Sequence, residues 1–253
     1  EALTSSDGEP AGGDRESLSL KPAEIRLIEQ VGGINPNTVV ALVGGSMIMT
    51  KKWEEHVPSI LYAWYSGMEG GNALPRILFG DVNPSGRLPF TIPSDESHLA
   101  YFSSSDRQIE YDLYHGYSLL DKNGIKPACP FGFGLSYTTW QYQDLNLSRQ
   151  DGRVNVTISL SNTGSRDGEQ VVQVYVGVKD SQIDRARKLL KGFDKVFVRA
   201  GESKEVTIPV VIDDLRYYDN DKGKWLLEPG TYLFYVGPNS SEEVLLKQEL
   251  ELP

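Results

Sequence analysis

Val154-Asn155-Val156-Thr157-Ile158-Ser159-Leu160-Ser161-Asn162-Thr163-Gly164 alternates apolar and polar side chains without a break until it reaches a turn. A period of two puts Val154, Val156, Ile158 and Leu160 on one face of an extended chain. One apolar face and one polar face make a half-buried strand of an antiparallel sheet. The same alternation returns at Val172-Val174-Val176, Val206-Ile208-Val210 and Tyr232-Phe234-Val236, with Ala200-Gly201-Glu202 and Glu228-Pro229-Gly230 as turns between. About seven short strands in roughly 110 residues predict an immunoglobulin-like or fibronectin type III-like β-sandwich.

Upstream of about Trp140 the period is different. Pro22 suits a first helical turn, Ile25, Ile28 and Val31 share one face, and Gly32-Gly33 reads as the stop. Thr38 to Val43 is a nearly continuous apolar, β-branched run, which predicts a strand covered on both faces, as in a parallel sheet. Ile60 to Tyr65 reads as a second strand, Glu69 to Phe79 as a helix ended by Gly80, and Arg87 to Ile92 as a third strand. Strand and helix in alternation predict an α/β layer. Residues 94 to 136 are rich in Ser, Asp, Tyr and Gly, have weak periodicity, and read as connector loops. The expected organisation is an α/β sandwich domain over residues 1–136, partial and with connector loops from about 94, followed by a fibronectin type III-like domain over 137–253.

With 25 basic and 35 acidic residues among 253, the net charge of −10 repels phosphate backbones and anionic lipid, so no nucleic acid is expected as partner. No apolar run approaches the roughly 20 residues that a bilayer requires, so no membrane partner is expected either. The single cysteine, Cys129, rules out an internal disulfide framework, and His56, His98 and His115 show no ligand spacing, so neither a metal nor another cofactor is expected.

Three runs carry local chemistry. Ala63-Trp64-Tyr65-Ser66-Gly67-Met68-Glu69-Gly70-Gly71-Asn72-Ala73 sets glycines at a helix start, where backbone N–H groups could receive an anion or a sugar hydroxyl, or could simply allow close packing. Asp81-Val82-Asn83-Pro84-Ser85-Gly86-Arg87-Leu88-Pro89-Phe90 reads alone as a turn between a helix and a strand. Pro130-Phe131-Gly132-Phe133-Gly134-Leu135-Ser136-Tyr137-Thr138 interleaves aromatics with glycines, which suits a domain junction better than a sugar site. Trp53, Trp64 and Trp140 read as core or junction residues.

Residues 12–15 (GGDR), 35–40 (NPNTVV), 63–73 (AWYSGMEGGNA), 79–91 (FGDVNPSGRLPFT) and 130–138 (PFGFGLSYT), in this order, resemble the C-terminal half of glycoside hydrolase family 3, the β-glucosidase family. The resemblance covers essentially the whole chain. It implies an α/β sandwich domain followed by a fibronectin type III-like domain, and a catalytic Asp nucleophile on an N-terminal barrel that these residues do not include. Retaining glycosidases pair that nucleophile with a second carboxyl group about 5–5.5 Å away. In the family this acid/base Glu lies a few residues before a Gly-Asp stretch, which carries over to Glu9, ahead of Gly12-Gly13-Asp14-Arg15.

Taken alone, Glu9 is a solvated loop carboxylate, and Asp7 and Glu1 compete with it for the role. Asp14 and Arg15 are expected to support the loop without entering the chemistry. His115 and Ser118 depart from the family's usual residues, Ser118 standing where Arg is common. The resemblance further implies a β-glucoside or gluco-oligosaccharide substrate, a barrel-bearing chain or domain as partner, and a homodimer of the whole enzyme as an assembly the sandwich would stabilise. A periplasmic or extracellular location is expected. The contrasting reading is a non-catalytic carbohydrate-binding or assembly module.

Overall fold

The computed structural model describes residues 3–4, 10–11, 17–103 and 106–253. In chain order these form β1 (Leu3–Thr4), β2 (Pro10–Ala11), α1 (Pro22–Ile34), β3 (Val39–Leu42), β4 (Ser59–Tyr62), α2 (Gly70–Leu78) and α3 (Gly116–Asn123). There follow β5 (Trp140–Gln150), β6 (Arg153–Asn162), β7 (Gly168–Val178), β8 (Leu189–Val198), β9 (Ser203–Val211), β10 (Tyr217–Asp219), β11 (Lys224–Leu226), β12 (Gly230–Gly237) and β13 (Leu246–Leu252). The last α-helix thus ends before Trp140, and the long elements beyond it are strands.

The alternation beginning at Val154 folds as expected. β5, β6 and β9 form a three-stranded antiparallel sheet, and a four-stranded sheet runs in the order β13-β12-β7-β8. Val154, Val156, Ile158 and Leu160 point inward with Val172, Val174 and Val176, Val206, Ile208 and Val210, and Tyr232, Phe234 and Val236. Each such side chain, taken wholly out of water, contributes roughly 1.5–3 kcal/mol. The pattern does not reveal the short β10–β11 hairpin, whose three paired positions are too few to establish a period.

In the α/β layer, β3 and β4 pair in parallel, with Val39 opposite Ser59 and Leu42 opposite Tyr62. Ile25 and Ile28 of α1 pack on Val40, Leu42 and Ile60 around the buried Trp53, whose Nε1 donates to the Met49 carbonyl at 3.1 Å. Several expectations need correcting here. β3 is covered on one face only among the described residues, since Val39 and Val43 are exposed. Arg87 to Ile92 is not a strand: Pro89 has no N–H to donate, and the segment instead bonds to residues 129–133 through Leu88 and Ile92. α3 lies inside the stretch read as connector. Gly124 ends it in the left-handed region, at φ 65°.

Gly32-Gly33 does not stop α1, which continues to Ile34. Gly32 is there for proximity: a Cβ on it would lie 2.1 Å from the carbonyl oxygen of His56, in the turn over which the helix passes. A Cβ on Gly33 would meet nothing within 4 Å. The two neighbours should therefore respond with opposite signs. Gly33→Ala is expected to stabilise by about 1 kcal/mol through helix propensity, and Gly32→Ala to destabilise by about 1–3 kcal/mol through overpacking. Urea unfolding midpoints check this; a stabilising Gly32→Ala would mean that the helix rides free of the turn.

Candidate functional site

In open α/β layers, ligands gather beyond the carboxyl ends of parallel strands. Here β3 runs out into Val43-Gly44-Gly45-Ser46 and β4 into Ala63-Trp64-Tyr65-Ser66-Gly67, and the two loops are tied together. Ala63 N–H donates to the Leu42 carbonyl at 2.8 Å, and the Tyr62 hydroxyl donates to the Ser46 carbonyl at 2.6 Å. Gly45 lies under Tyr65, whose Cε2 would be 2.6 Å from an added Cβ.

Trp64 carries backbone strain at this point. Its φ of 55° is a left-handed conformation that a bulky side chain rarely adopts. The indole is held by Tyr62, with ring centroids 4.7 Å apart, and by Phe90 at 5.5 Å, which explains why the strained turn persists. The chain therefore leaves β4 sharply, and Tyr65 and Met68 project into solvent, 77% and 96% exposed. Ser66 Oγ donates back to the Ala63 carbonyl at 2.7 Å, and Gly70 has Ser66 Cβ within 2.6 Å of where its own Cβ would be. Both Gly45 and Gly70 thus serve close packing. Asn72 Nδ2 donates to the Glu69 carboxylate at 2.8 Å, leaving that acid at the mouth of α2.

The other two runs form a polar junction to the sandwich. Asn83 Oδ1 accepts from Ser136 Oγ at 2.8 Å and from Tyr137 N–H at 2.7 Å, while its Nδ2 donates to the Asp167 carbonyl at 2.9 Å. Arg87 donates to the Gln170 side chain, and Gln170 Nε2 donates to the Tyr142 hydroxyl at 2.7 Å. Burial holds the Arg87 guanidinium below its ordinary pKa and pushes the Tyr142 phenol well above its own, so Tyr142 stays neutral. A Cβ on Gly134 would lie 2.5 Å from the Gly86 carbonyl, so the two runs interlock.

Glu9, Asp14 and Arg15 lie outside the described residues, as do the competing Asp7 and Glu1. Glu9 directly precedes Pro10, which pairs with Thr4. His115 and Ser118 start α3: Ser118 Oγ accepts from the His115 N–H at 3.1 Å and donates to the His115 carbonyl at 2.7 Å. Among the described residues no group of three or more His, Cys, Asp or Glu could hold a metal ion, and no helix is long and apolar enough to cross a membrane. The Cys129 thiol is pushed up to about 11, by burial first and by Glu54 second, so it stays protonated at neutral pH and is a poor nucleophile.

An α/β layer with a strained aromatic turn at its strand ends, locked through asparagine and arginine to an immunoglobulin-like sandwich, defines the class. Comparison with known proteins makes it specific. The model of the glycosyl hydrolase family 3 C-terminal domain matches residues 2–137, and that of the fibronectin type III-like domain matches residues 170–240. The chain belongs to glycosyl hydrolase family 3.

It is 38% identical over 253 residues to thermostable beta-glucosidase B of Acetivibrio thermocellus, covering 96% of this chain and 33% of the relative. It is 36% identical over 245 residues to beta-glucosidase BoGH3A of Bacteroides ovatus, covering 91% and 32%. The crystal structure of a beta-D-glucoside glucohydrolase from Trichoderma reesei superposes with a TM-score of 0.90 at 27% identity, covering 97% of this chain and 38% of that one. The chain thus spans about a third of the length of the curated relatives it matches.

Proposed function

We propose that this chain is the C-terminal portion of a retaining, exo-acting β-glucosidase that releases terminal β-D-glucosyl residues. The observation that carries the reading is the match of both family models in sequence order along one chain whose relatives are named beta-glucosidases. In the proposed mechanism an Asp on a barrel-bearing chain or domain attacks the anomeric carbon while the Glu9 carboxyl protonates the departing glycosidic oxygen. Glu9, now ionised, then takes a proton from the water that hydrolyses the glycosyl-enzyme. Asp14 and Arg15 hold the Glu9 loop. The aromatic turn at Trp64 and Tyr65 supports the reading, because rigid ring faces at the strand ends suit the C–H face of a sugar.

Half of a two-carboxylate site does no double displacement. The purified 253-residue chain should therefore leave aryl β-glucosides intact, and turnover should appear when the chain is joined to, or mixed with, a barrel-bearing segment of a close relative. Release of nitrophenol by the chain alone, after a second chromatographic step to remove contaminants, would place both carboxylates within these residues and overturn the division of labour.

A further inference from the structure

Trp225 is the fourth tryptophan of the chain and the one that the sequence runs leave without a place. It lies on the β10–β11 hairpin, directly opposite Tyr218, with the two rings edge to face at 5.5 Å. That partner fixes the indole plane, yet Trp225 remains 62% exposed. Phe193 of β8, 66% exposed, lines the same groove of about 720 Å³. The floor at one end is the turn Ile212–Leu215, whose Ile212 and Leu215 are buried while Asp213 and Asp214 face solvent. Arg216 closes that end, its guanidinium 2.8 Å from the Asp213 carboxylate.

Two aromatic side chains stand beside two carboxylates, the Arg216 guanidinium and the Lys191 ammonium, whose Nζ donates to the Asp214 backbone carbonyl at 2.6 Å, and this mixture selects a ligand chemistry. Asp213 and Asp214 are balanced by Lys191 and Arg216, so the groove carries no net charge that would select an ion of either sign. A wholly apolar ligand would take four charged side chains out of water without offering them a hydrogen bond. A pyranose answers both halves of the groove: its axial C–H groups stack on an indole, and its rim of hydroxyls donates to carboxylates and accepts from a guanidinium. Glucose in β-linkage carries every hydroxyl equatorially, so it offers a flat C–H face on each side. The volume is that of an ordinary small-molecule site.

We propose that the groove lined by Trp225 and Phe193 binds a β-linked gluco-oligosaccharide, with Trp225 as the stacking platform and Asp213, Asp214 and Arg216 as partners of the ring hydroxyls. The choice of a glucan among saccharides rests on the β-glucosidase reading. None of these residues belongs to the loops after β3 and β4.

The test titrates the 253-residue chain with cellotetraose, read by calorimetry and by tryptophan fluorescence. Saturable binding is expected, weakened about tenfold or more by Trp225→Ala, the equivalent of about 1.4 kcal/mol. Trp225→Phe should fall between, and Asp214→Ala should also weaken binding. Because both side chains are exposed, unfolding free energies from urea titration should stay within about 1.5 kcal/mol of the parent, the most that the lost Tyr218 ring contact would cost. Mannotetraose, with an axial 2-hydroxyl, should bind more weakly.

Absence of saturable binding, or equal binding by Trp225→Ala, would overturn the proposal. So would a preference for mannotetraose. If sedimentation shows a dimer that Trp225→Ala dissolves while cellotetraose has no effect, the groove is an interface between copies and the proposal is equally overturned. Binding needs no barrel and no turnover, so its failure is distinguishable from failure of the hydrolase reading.

Discussion

In the assembled enzyme, Glu9→Gln is expected to slow cellobiose-like substrates by about 10²–10⁴-fold, the usual contribution of a positioned general acid, and to slow dinitrophenyl glucosides far less in the glycosylation step. The reason is the leaving group. An alkoxide departing from a sugar needs a proton in the transition state, whereas dinitrophenolate is stable without one. With the activated substrate the variant should accumulate glycosyl-enzyme, because the carboxylate that deprotonates water for the second step is gone. Azide needs no deprotonation, so it should restore turnover and yield the β-glycosyl azide. Asp7→Asn should show neither behaviour. Equal slowing of all substrates by Glu9→Gln with no azide effect, and leaving-group dependence at Asp7 or Glu1 instead, would assign the acid/base to one of those carboxylates.

Asp121→Ala should cost about 3–5 kcal/mol of unfolding free energy, since it breaks a buried ion pair from the side that leaves a charge stranded. The Lys188 side chain is 0% exposed; its ammonium meets Asp121 of α3 and lies 3.6 Å from Glu242, itself held by Arg187 at 2.7 Å. Losing Asp121 leaves a desolvated ammonium with only the longer contact. Lys188→Met should cost less, because the carboxylates it abandons are 24% and 34% exposed and can turn to water. The double variant Asp121→Ala/Lys188→Met should recover much of that loss, because it removes both charges together. Urea unfolding of the four proteins gives the cycle. If Lys188→Met proves the costlier single change, or the double variant shows the sum of the two, the pair does not hold α3 to the sandwich as described.

The sandwich was legible because its strands bury one face each. Val154 to Leu160 had to alternate to place four side chains in one core, and the alternation survives in the sequence whatever the neighbouring strands are. α3 was hidden because it is held from outside: Ser118 caps it, Asp121 reaches Lys188 across 67 positions, and only Ser118 and Leu120 are buried. Eight residues anchored by such contacts need no apolar stripe. Gly32-Gly33 misled for a related reason. A glycine that ends a helix and one that lets another segment pass look alike in sequence, and only the carbonyl of His56, 24 positions away along the chain, separates them.

The sequence by itself determined the two periods, the change between them near Trp140, the absence of a thiolate cluster and the family motifs, because each depends on residues close together along the chain. Tertiary structure decided the rest. It turned Asn83 and Arg87 from a turn motif into a junction with Asp167 and Gln170, held Trp64 in a strained conformation between Tyr62 and Phe90, and brought Trp225 and Phe193 to one open groove. These pairings join positions up to 84 residues apart. Which partners meet across such distances is fixed by how layers pack, and local spacing carries no record of it.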